Sequence, residues 1–346
     1  MITFYPGPSK IYPQIETYLQ DAIIEGILSQ NHRSQAFMDM LKECIRLFKE
    51  KLNIPAEYHV YFTSSATECW EIVAQSLTSQ GSHHIYNGAF GKKWFEYTQK
   101  NAAFPVSGLQ FGIEENIPVS IDFPKTCDVI CLTQNETSNS TQVAVSTIPT
   151  IADKLIAIDV TSSLGGIELD WQKGDIWLGS VQKCLGLPAG LGVMICSPRA
   201  LKQAEDIGDR KFYNSLLFIH ENFQKYQTHY TPNVLGIYLL MRVMQQVAPI
   251  NILSSYIKAR AADFYNFIKQ ETNFQLLIEN PTVRSDTVIA IQGTMEAIKD
   301  LKQSAKENGI ILGNGYGSWK DTTFRLANFP AIQDKEFEQL KTLLRR

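Results

Sequence analysis

The sequence has little of what would tie it to a membrane, an export route or a polyanion. No apolar run is long enough to span a bilayer, and Met1–Pro8 lacks the basic and apolar regions of a secretion signal. Neither charge sign dominates: 32 Lys and Arg against 35 Asp and Glu leave a net charge of −3. That balance gives no reason to expect nucleic acid or an anionic lipid surface as a partner. Cysteine is sparse, with six residues at positions 44, 69, 127, 131, 184 and 196. Cys127 and Cys131 have no second pair at zinc-ligand spacing, so neither a metal site nor a disulfide framework is expected. The expected location is the cytoplasm. There is no internal repeat, low-complexity tract or charged tail. What remains is ordinary globular composition, 44% hydrophobic and 19% charged over 346 residues, long enough for two domains.

Short β-rich apolar runs alternate with helical patterns through the first two thirds of the chain. This argues for an α/β fold with a mostly parallel sheet. Strands are expected at Tyr58–Thr63, His83–Tyr86, Val129–Leu132, Leu155–Ile158, Ile176–Leu178 and Gly192–Cys196, with helices over Met38–Lys51, Ala66–Ser79 and Lys92–Lys100. From Pro232 the pattern changes. Two long helices, Val234–Gln246 and Ser254–Thr272, precede strand and helix segments at Phe274–Leu277, Val288–Gln292, Met295–Asn308, Ile310–Leu312, Thr323–Leu326 and Ile332–Leu344. The division expected is an N-terminal segment lining the substrate site (1–15), a large domain (16–235) and a small α+β domain (236–346).

Lys183 is the unusual residue. It sits in Ser180-Val181-Gln182-Lys183-Cys184-Leu185-Gly186-Leu187-Pro188-Ala189-Gly190, among small and apolar neighbours rather than other charges. A lysine in a cleft loses its proton readily, and its free amine can form a Schiff base. Upstream, Leu155-Ile156-Ala157-Ile158-Asp159 reads as a buried strand ending in a carboxylate. Pyridoxal phosphate needs this combination: an amine to hold its aldehyde and an anion to keep its pyridine nitrogen protonated.

Ligands of such sheets bind beyond the carboxyl ends of the strands, where further candidates fall. Ser64-Ser65-Ala66-Thr67-Glu68 opens a helix, and its N–H groups suit a phosphate, although an ordinary N-cap accounts for the same residues. Phe90, between Gly88 and Gly91, can stack on a flat ring, or pair with Trp94 in a helix core. Asn135–Ser140 forms a polar loop that also fits a plain turn.

The set Pro6-Gly7-Pro8, Ser65-Ala66-Thr67-Glu68, Gly88-Ala89-Phe90-Gly91, Asn135-Glu136-Thr137, Asp159-Val160-Thr161-Ser162-Ser163, Ser180-Val181-Gln182-Lys183 and Phe324-Arg325-Leu326 resembles the class V aminotransferases. These are pyridoxal phosphate enzymes of fold type I, with a seven-stranded-type sheet in the large domain. The resemblance implies that Ser65, Ala66 and Thr67 hold the cofactor phosphate, with Gln182 close by. It implies that Phe90 stacks on the ring, Thr137 binds the ring hydroxyl, Asp159 the ring nitrogen, and Lys183 the aldehyde. Thr231, in Thr228-His229-Tyr230-Thr231-Pro232-Asn233, matches a segment that reaches the neighbouring subunit's phosphate, which implies a homodimer with shared sites.

On this resemblance the substrates are a small amino acid and a 2-oxo acid, exchanged in ping-pong order. Arg325 would anchor the α-carboxylate, and Pro8 would line the substrate side. Asn31-His32-Arg33-Ser34 looks like the His-Arg motif with which phosphoserine aminotransferases bind the substrate phosphate; Arg33 on an exposed loop with Ser34 capping a helix from Gln35 fits as well. The chain departs from that type in two places. It has Ser65-Ala66-Thr67 where an Arg is typical, and Gly315-Tyr316-Gly317-Ser318-Trp319-Lys320 where a second His-Arg pair is typical, with Lys320 available as a substitute charge. Phosphoserine with 2-oxoglutarate, in serine biosynthesis, is the favoured pair; serine–pyruvate or alanine–glyoxylate exchange is the alternative. A class V lyase or desulfurase would carry a His before the lysine or a cysteine on a mobile loop, whereas Gln182 and Cys184 stand here. A non-catalytic binding protein would not need Lys183 and Asp159 together.

Overall fold

The computed structural model describes residues 1–345. Seven strands form the main sheet: β1 (His59–Thr63), β2 (Ser82–Tyr86), β3 (Val106–Gln110), β4 (Val129–Thr133), β5 (Leu155–Asp159), β6 (Ile176–Ser180) and β7 (Gly192–Cys196). Their spatial order is β1-β7-β6-β5-β4-β2-β3. Strands β3, β2, β4, β5 and β6 run parallel, and β7 is antiparallel to both β6 and β1. The five residues of β4, β5, β6 and β7 are buried throughout, as a sheet covered on both faces requires. The carboxyl ends of β1, β4, β5 and β6 therefore open on one edge.

The six expected strands are present, most of them longer or shifted by a residue or two. Strand β3 was not foreseen. It lies at the sheet edge, half-exposed, with Gly108 at its centre, so neither an apolar run nor strict alternation marks it. Gly108 is tightly packed there: a Cβ would stand 3.1 Å from the Phe95 ring, which would have to shift by a few tenths of an ångström. The expected Ala66–Ser79 helix is α-helical over Ala66–Ile72 and widens into a π-turn over Val73–Leu77, which the Thr78 hydroxyl closes by donating to the Val73 carbonyl at 3.0 Å. Ser34 caps the Gln35–Leu52 helix, accepting from the Phe37 N–H at 3.2 Å. Helices at Ile15–Ile24, Pro198–Ile207 and Leu216–Phe223 were not anticipated.

A second sheet joins β8 (Gln275–Leu276), β9 (Val288–Gln292), β10 (Gly313–Asn314) and β11 (Thr323–Ala327) in the order β8-β9-β11-β10, all antiparallel. It has its own apolar core, in which Phe264, Phe324, Phe329 and Phe337 are buried beside Phe4 from the N-terminus. The N-terminal segment ties the two sheets together. Phe4 donates to the Ile311 carbonyl and accepts from Ala327 N–H, both at 2.8 Å, and Ser9 N–H donates to the Gln182 carbonyl at 3.0 Å. Among the described residues no helix is long and apolar enough to cross a membrane.

Candidate active site

Between the two sheets lies a cleft of about 560 Å³. Pro8 and Ser65 line it, as do Ala66, Thr67, Phe90, Thr137, Asp159, Gln182, Lys183 and Arg325. The fold thus brings together ten of the thirteen residues singled out from sequence. The other three, His32, Arg33 and Thr231, do not line the cleft of their own chain. Arg33 is exposed and donates to the Gln227 side chain at 2.6 Å, and Thr231 is exposed. Lys320 does line the cleft and makes no ion pair among the described residues.

Sheet register places the Lys183 loop beside the Ser64–Ala66 loop. Gly192 of β7 sits opposite Thr63 on one side and Ser180 on the other. Only glycine fits at 192, because a Cβ would meet Thr63 Oγ1 at 2.4 Å and the Ser65 carbonyl carbon at 2.5 Å. Ser65 accepts from Glu68 N–H at 3.1 Å as an N-cap, and Ala66 N–H donates to Ser180 Oγ at 2.8 Å. The helix beyond them presents its N-terminus to the cleft, as anion binding requires.

Lys183 is buried, and its Nζ donates to Thr137 Oγ1 at 2.7 Å and stands 5.5 Å from the Phe90 ring centre. Burial pulls its pKa down to about 8, against the opposing pull of the Asp159 and Glu136 carboxylates. Asp159 ends β5, one strand from Thr133 on β4. Its Oδ1 accepts from Thr161 N–H at 2.8 Å and its Oδ2 from Trp70 Nε1 at 3.0 Å. Burial raises its pKa, and the hydrogen bonds from Thr161 and Trp70 and the charge of Lys183 work against that rise.

Arg325, on β11, is 6% exposed and has no carboxylate partner among the described residues. Its Nη1 donates to the Thr137 carbonyl at 2.6 Å and its Nε to the Asn314 carbonyl at 2.7 Å. The guanidinium lies 5.5 Å from the Tyr316 ring, which itself packs 5.6 Å from Phe90. A buried guanidinium held by carbonyls keeps its charge uncompensated, which suits it to an incoming anion.

Two further residues, Glu136, which does not line the cleft, and Trp70, which does, have roles that sequence reasoning missed. Glu136 is 1% exposed; its carboxylate accepts from the N–H groups of Phe90 (3.1 Å), Gly91 (3.0 Å) and Ser138 (2.9 Å). It caps the Ala89–Asn101 helix from another strand end, because Gly88 at the N-cap has no side chain to do so. The second is Trp70, whose indole reaches Asp159. Neither spacing nor periodicity marks a cap or a donor supplied from a distant segment.

The orphaned polar atoms show what the cleft is built for. Thr133 Oγ1 and Gln182 Oε1 are buried, line the cleft and have no partner among the described residues. With an amine, a carboxylate, an aromatic face and a helix N-terminus around them, they fit a planar, phosphorylated, polar ring. Residues 99–323, well over half the chain, match the family model described as aminotransferase class-V. The chain belongs to the class-V aminotransferases. The cofactor of this family is pyridoxal phosphate, and the residues present fit it.

Among solved structures, that of a phosphoserine aminotransferase from Cytophaga hutchinsonii superimposes with a TM-score of 0.94 at 32% identity, covering 99% of this chain and 98% of that one. An aspartate aminotransferase from Thermus thermophilus shares the fold, with a TM-score of 0.84 at 19% identity over 100% of this chain and 98% of that one. Among curated proteins, the phosphoserine aminotransferase of Rhodococcus opacus is 27% identical over 96% of this chain and 91% of its own length.

Proposed function

We propose that this aminotransferase acts on O-phosphoserine, exchanging its amino group with 2-oxoglutarate and glutamate in serine biosynthesis. The observation that carries this reading is the 32% identity to the Cytophaga hutchinsonii phosphoserine aminotransferase over 99% of the chain. An alanine–glyoxylate aminotransferase from Nostoc is only 16% identical, a level that speaks for the fold alone.

When bound, pyridoxal phosphate supplies an electron-withdrawing ring that acidifies the substrate Cα and carries the amino group between half-reactions. In this reading the N–H groups and hydroxyls of Ser65, Ala66 and Thr67 hold the phosphate, with Gln182 beside them. Phe90 covers one face of the ring, Thr137 binds its hydroxyl, and Asp159 holds a proton on its nitrogen. Lys183 Nζ takes the proton from the substrate Cα, a task that needs a neutral amine near neutral pH, and burial lowers its pKa to about 8. Arg325 binds the α-carboxylate with Pro8 alongside. Residues 16–235 act as the cofactor domain, 236–346 as the small domain, and 1–15 as the segment that lines the substrate side between them.

The substrate phosphate falls to His32 and Arg33, and because they lie outside their own cleft we assign them to the site of a second subunit. Thr231 would reach the neighbouring cofactor phosphate in the same homodimer. The test is a half-reaction screen of the cofactor-loaded enzyme with phosphoserine, serine and alanine. Phosphoserine should lead in kcat/KM by about a hundredfold, the worth of one well-paired dianion at roughly 1.4 kcal/mol per tenfold. A preference for serine or alanine replaces this reading with serine–pyruvate or alanine–glyoxylate exchange.

A further inference from the structure

Trp70 has two features that ordinary core packing does not require. Its ring is stacked on Trp94, with centroids 5.8 Å apart and planes 9° from parallel. Trp94 is itself 1% exposed and lies edge-on to His84 of β2 at 5.5 Å. Trp70 is thus packed face to face against a buried neighbour. Its only polar atom, Nε1–H, donates to the Oδ2 of Asp159 at 3.0 Å, in a cleft that both residues line. Most buried indoles find an acceptor, although the Nε1 of Trp94 has none among the described residues; that of Trp70 uses a carboxylate that has other work to do.

We propose that Trp70 is a positioning residue for Asp159: its indole N–H fixes the carboxylate plane and holds it anionic where the ring nitrogen of the cofactor binds. The inference rests on the reading of Asp159 as the partner of that nitrogen. The two oxygens of Asp159 are held from different segments, Oδ1 by the Thr161 N–H and Oδ2 by Trp70. Without the second donor the carboxylate keeps one anchor and can rotate about it. A hydrogen bond to a charged, buried acceptor is among the stronger ones a protein makes. Trp70 follows directly from the phosphate-binding segment, in Ser65-Ala66-Thr67-Glu68-Cys69-Trp70, so a single short helix would hold the cofactor at the phosphate and, through Asp159, at the nitrogen.

The test uses pyridoxine 5′-phosphate, which has the ring nitrogen and phosphate but no aldehyde to join Lys183. Its affinity for the apo-enzyme is measured by calorimetry in wild type, W70F, D159N and the double variant. W70F keeps an aromatic ring against Trp94 and should bind the probe roughly ten- to a hundredfold more weakly. In the D159N background the same change should add less than about twofold, because the neutral amide offers no charge for the indole to hold. A purely structural role would cost the same in both backgrounds and would overturn the inference, as would unaltered binding by W70F. D159N binding as tightly as wild type would instead remove the reading of Asp159 itself. Should W70F fail to fold, ¹⁹F spectra of wild type and D159N labelled with 5-fluorotryptophan decide the matter. One of the five indole signals should move far more than the rest, and five signals left in place would overturn the inference.

Discussion

Thr137 is held from both ends: its hydroxyl accepts from Lys183 Nζ at 2.7 Å, and its carbonyl accepts from Arg325 Nη1 at 2.6 Å. One residue thus sets the spacing between the amine proposed to move the substrate proton and the guanidinium proposed to hold the substrate carboxylate. Proximity of this kind matters because small misplacements at a reacting centre are costly in rate.

Lys183→Ala should reduce transamination by about a hundredfold to ten-thousandfold, the worth of a positioned general base. The circular dichroism spectrum and the affinity for pyridoxine 5′-phosphate should change little, since the Ser65–Thr67 segment and Asp159 stay in place. Retention of most of the turnover without added amines would show that another group moves the proton.

Covalent capture of pyridoxal phosphate by the apo-enzyme should depend on pH with a midpoint near 8. The neutral amine is the nucleophile, and burial lowers the Lys183 pKa from 10.5 to about 8. The rate should therefore rise as pH increases through that value and level off above it. Stopped-flow absorbance between pH 6 and 10.5 measures this directly, and a midpoint near 10 would mean that the lysine is solvated.

Asp159→Asn should lower kcat and kcat/KM together. An amide cannot keep the ring nitrogen protonated, so the loss appears in the transition state rather than in substrate binding alone. A raised KM with unchanged kcat would contradict this assignment.

Arg325→Ala should cost every amino acid substrate alike, about 2–5 kcal/mol in kcat/KM, since it removes a desolvated charge that meets the group all of them share. Arg325→Lys should recover only part of this, because an ammonium cannot reproduce the forked geometry that reaches the Thr137 and Asn314 carbonyls as well as the substrate. Substrate-dependent losses would assign Arg325 to the side chain instead.

Arg33→Ala should lower kcat/KM for phosphoserine by about a hundredfold while alanine and serine stay within a few-fold. Co-expressed Arg33→Ala and Lys183→Ala subunits should regain about half the wild-type phosphoserine activity in the hybrid dimer, because one of its two sites then has both residues intact. Absence of rescue would mean that Arg33 serves its own chain, and light scattering that found an active monomer would remove the shared site altogether.

Much of this site was legible because its residues sit where local patterns end. Lys183 stood out as a lone charge in an apolar, glycine-rich stretch, and Asp159 as the polar terminus of a buried run. Glu136 and Trp70 carried no such signature. Each acts across the sheet, on a helix N-terminus and a carboxylate brought near only by the strand order. Strand β3 was lost for a different reason, its half-exposed edge position giving no periodic signal. The helix over Ala89–Asn101 was expected to begin at Lys92, because its capping group comes from residue 136 rather than from the residues before it. Arg33 and Thr231 show the reverse case, a motif readable in the sequence whose proposed ligand the single chain does not bring to it.

The reversed strand β7 has a consequence for the way this enzyme matures. It is hydrogen-bonded to β1 over Gly192–Cys196 and His59–Thr63, partners separated by most of the large sheet's sequence. Closing so long a loop is slow relative to local pairing. The strands between them can assemble earlier, but the Lys183 loop meets the Ser65 segment only when this last edge is zipped. Cofactor capture during refolding should therefore trail the burial of Trp177 in β6. A newly made chain should become competent to hold pyridoxal phosphate only after this long-range pairing has formed.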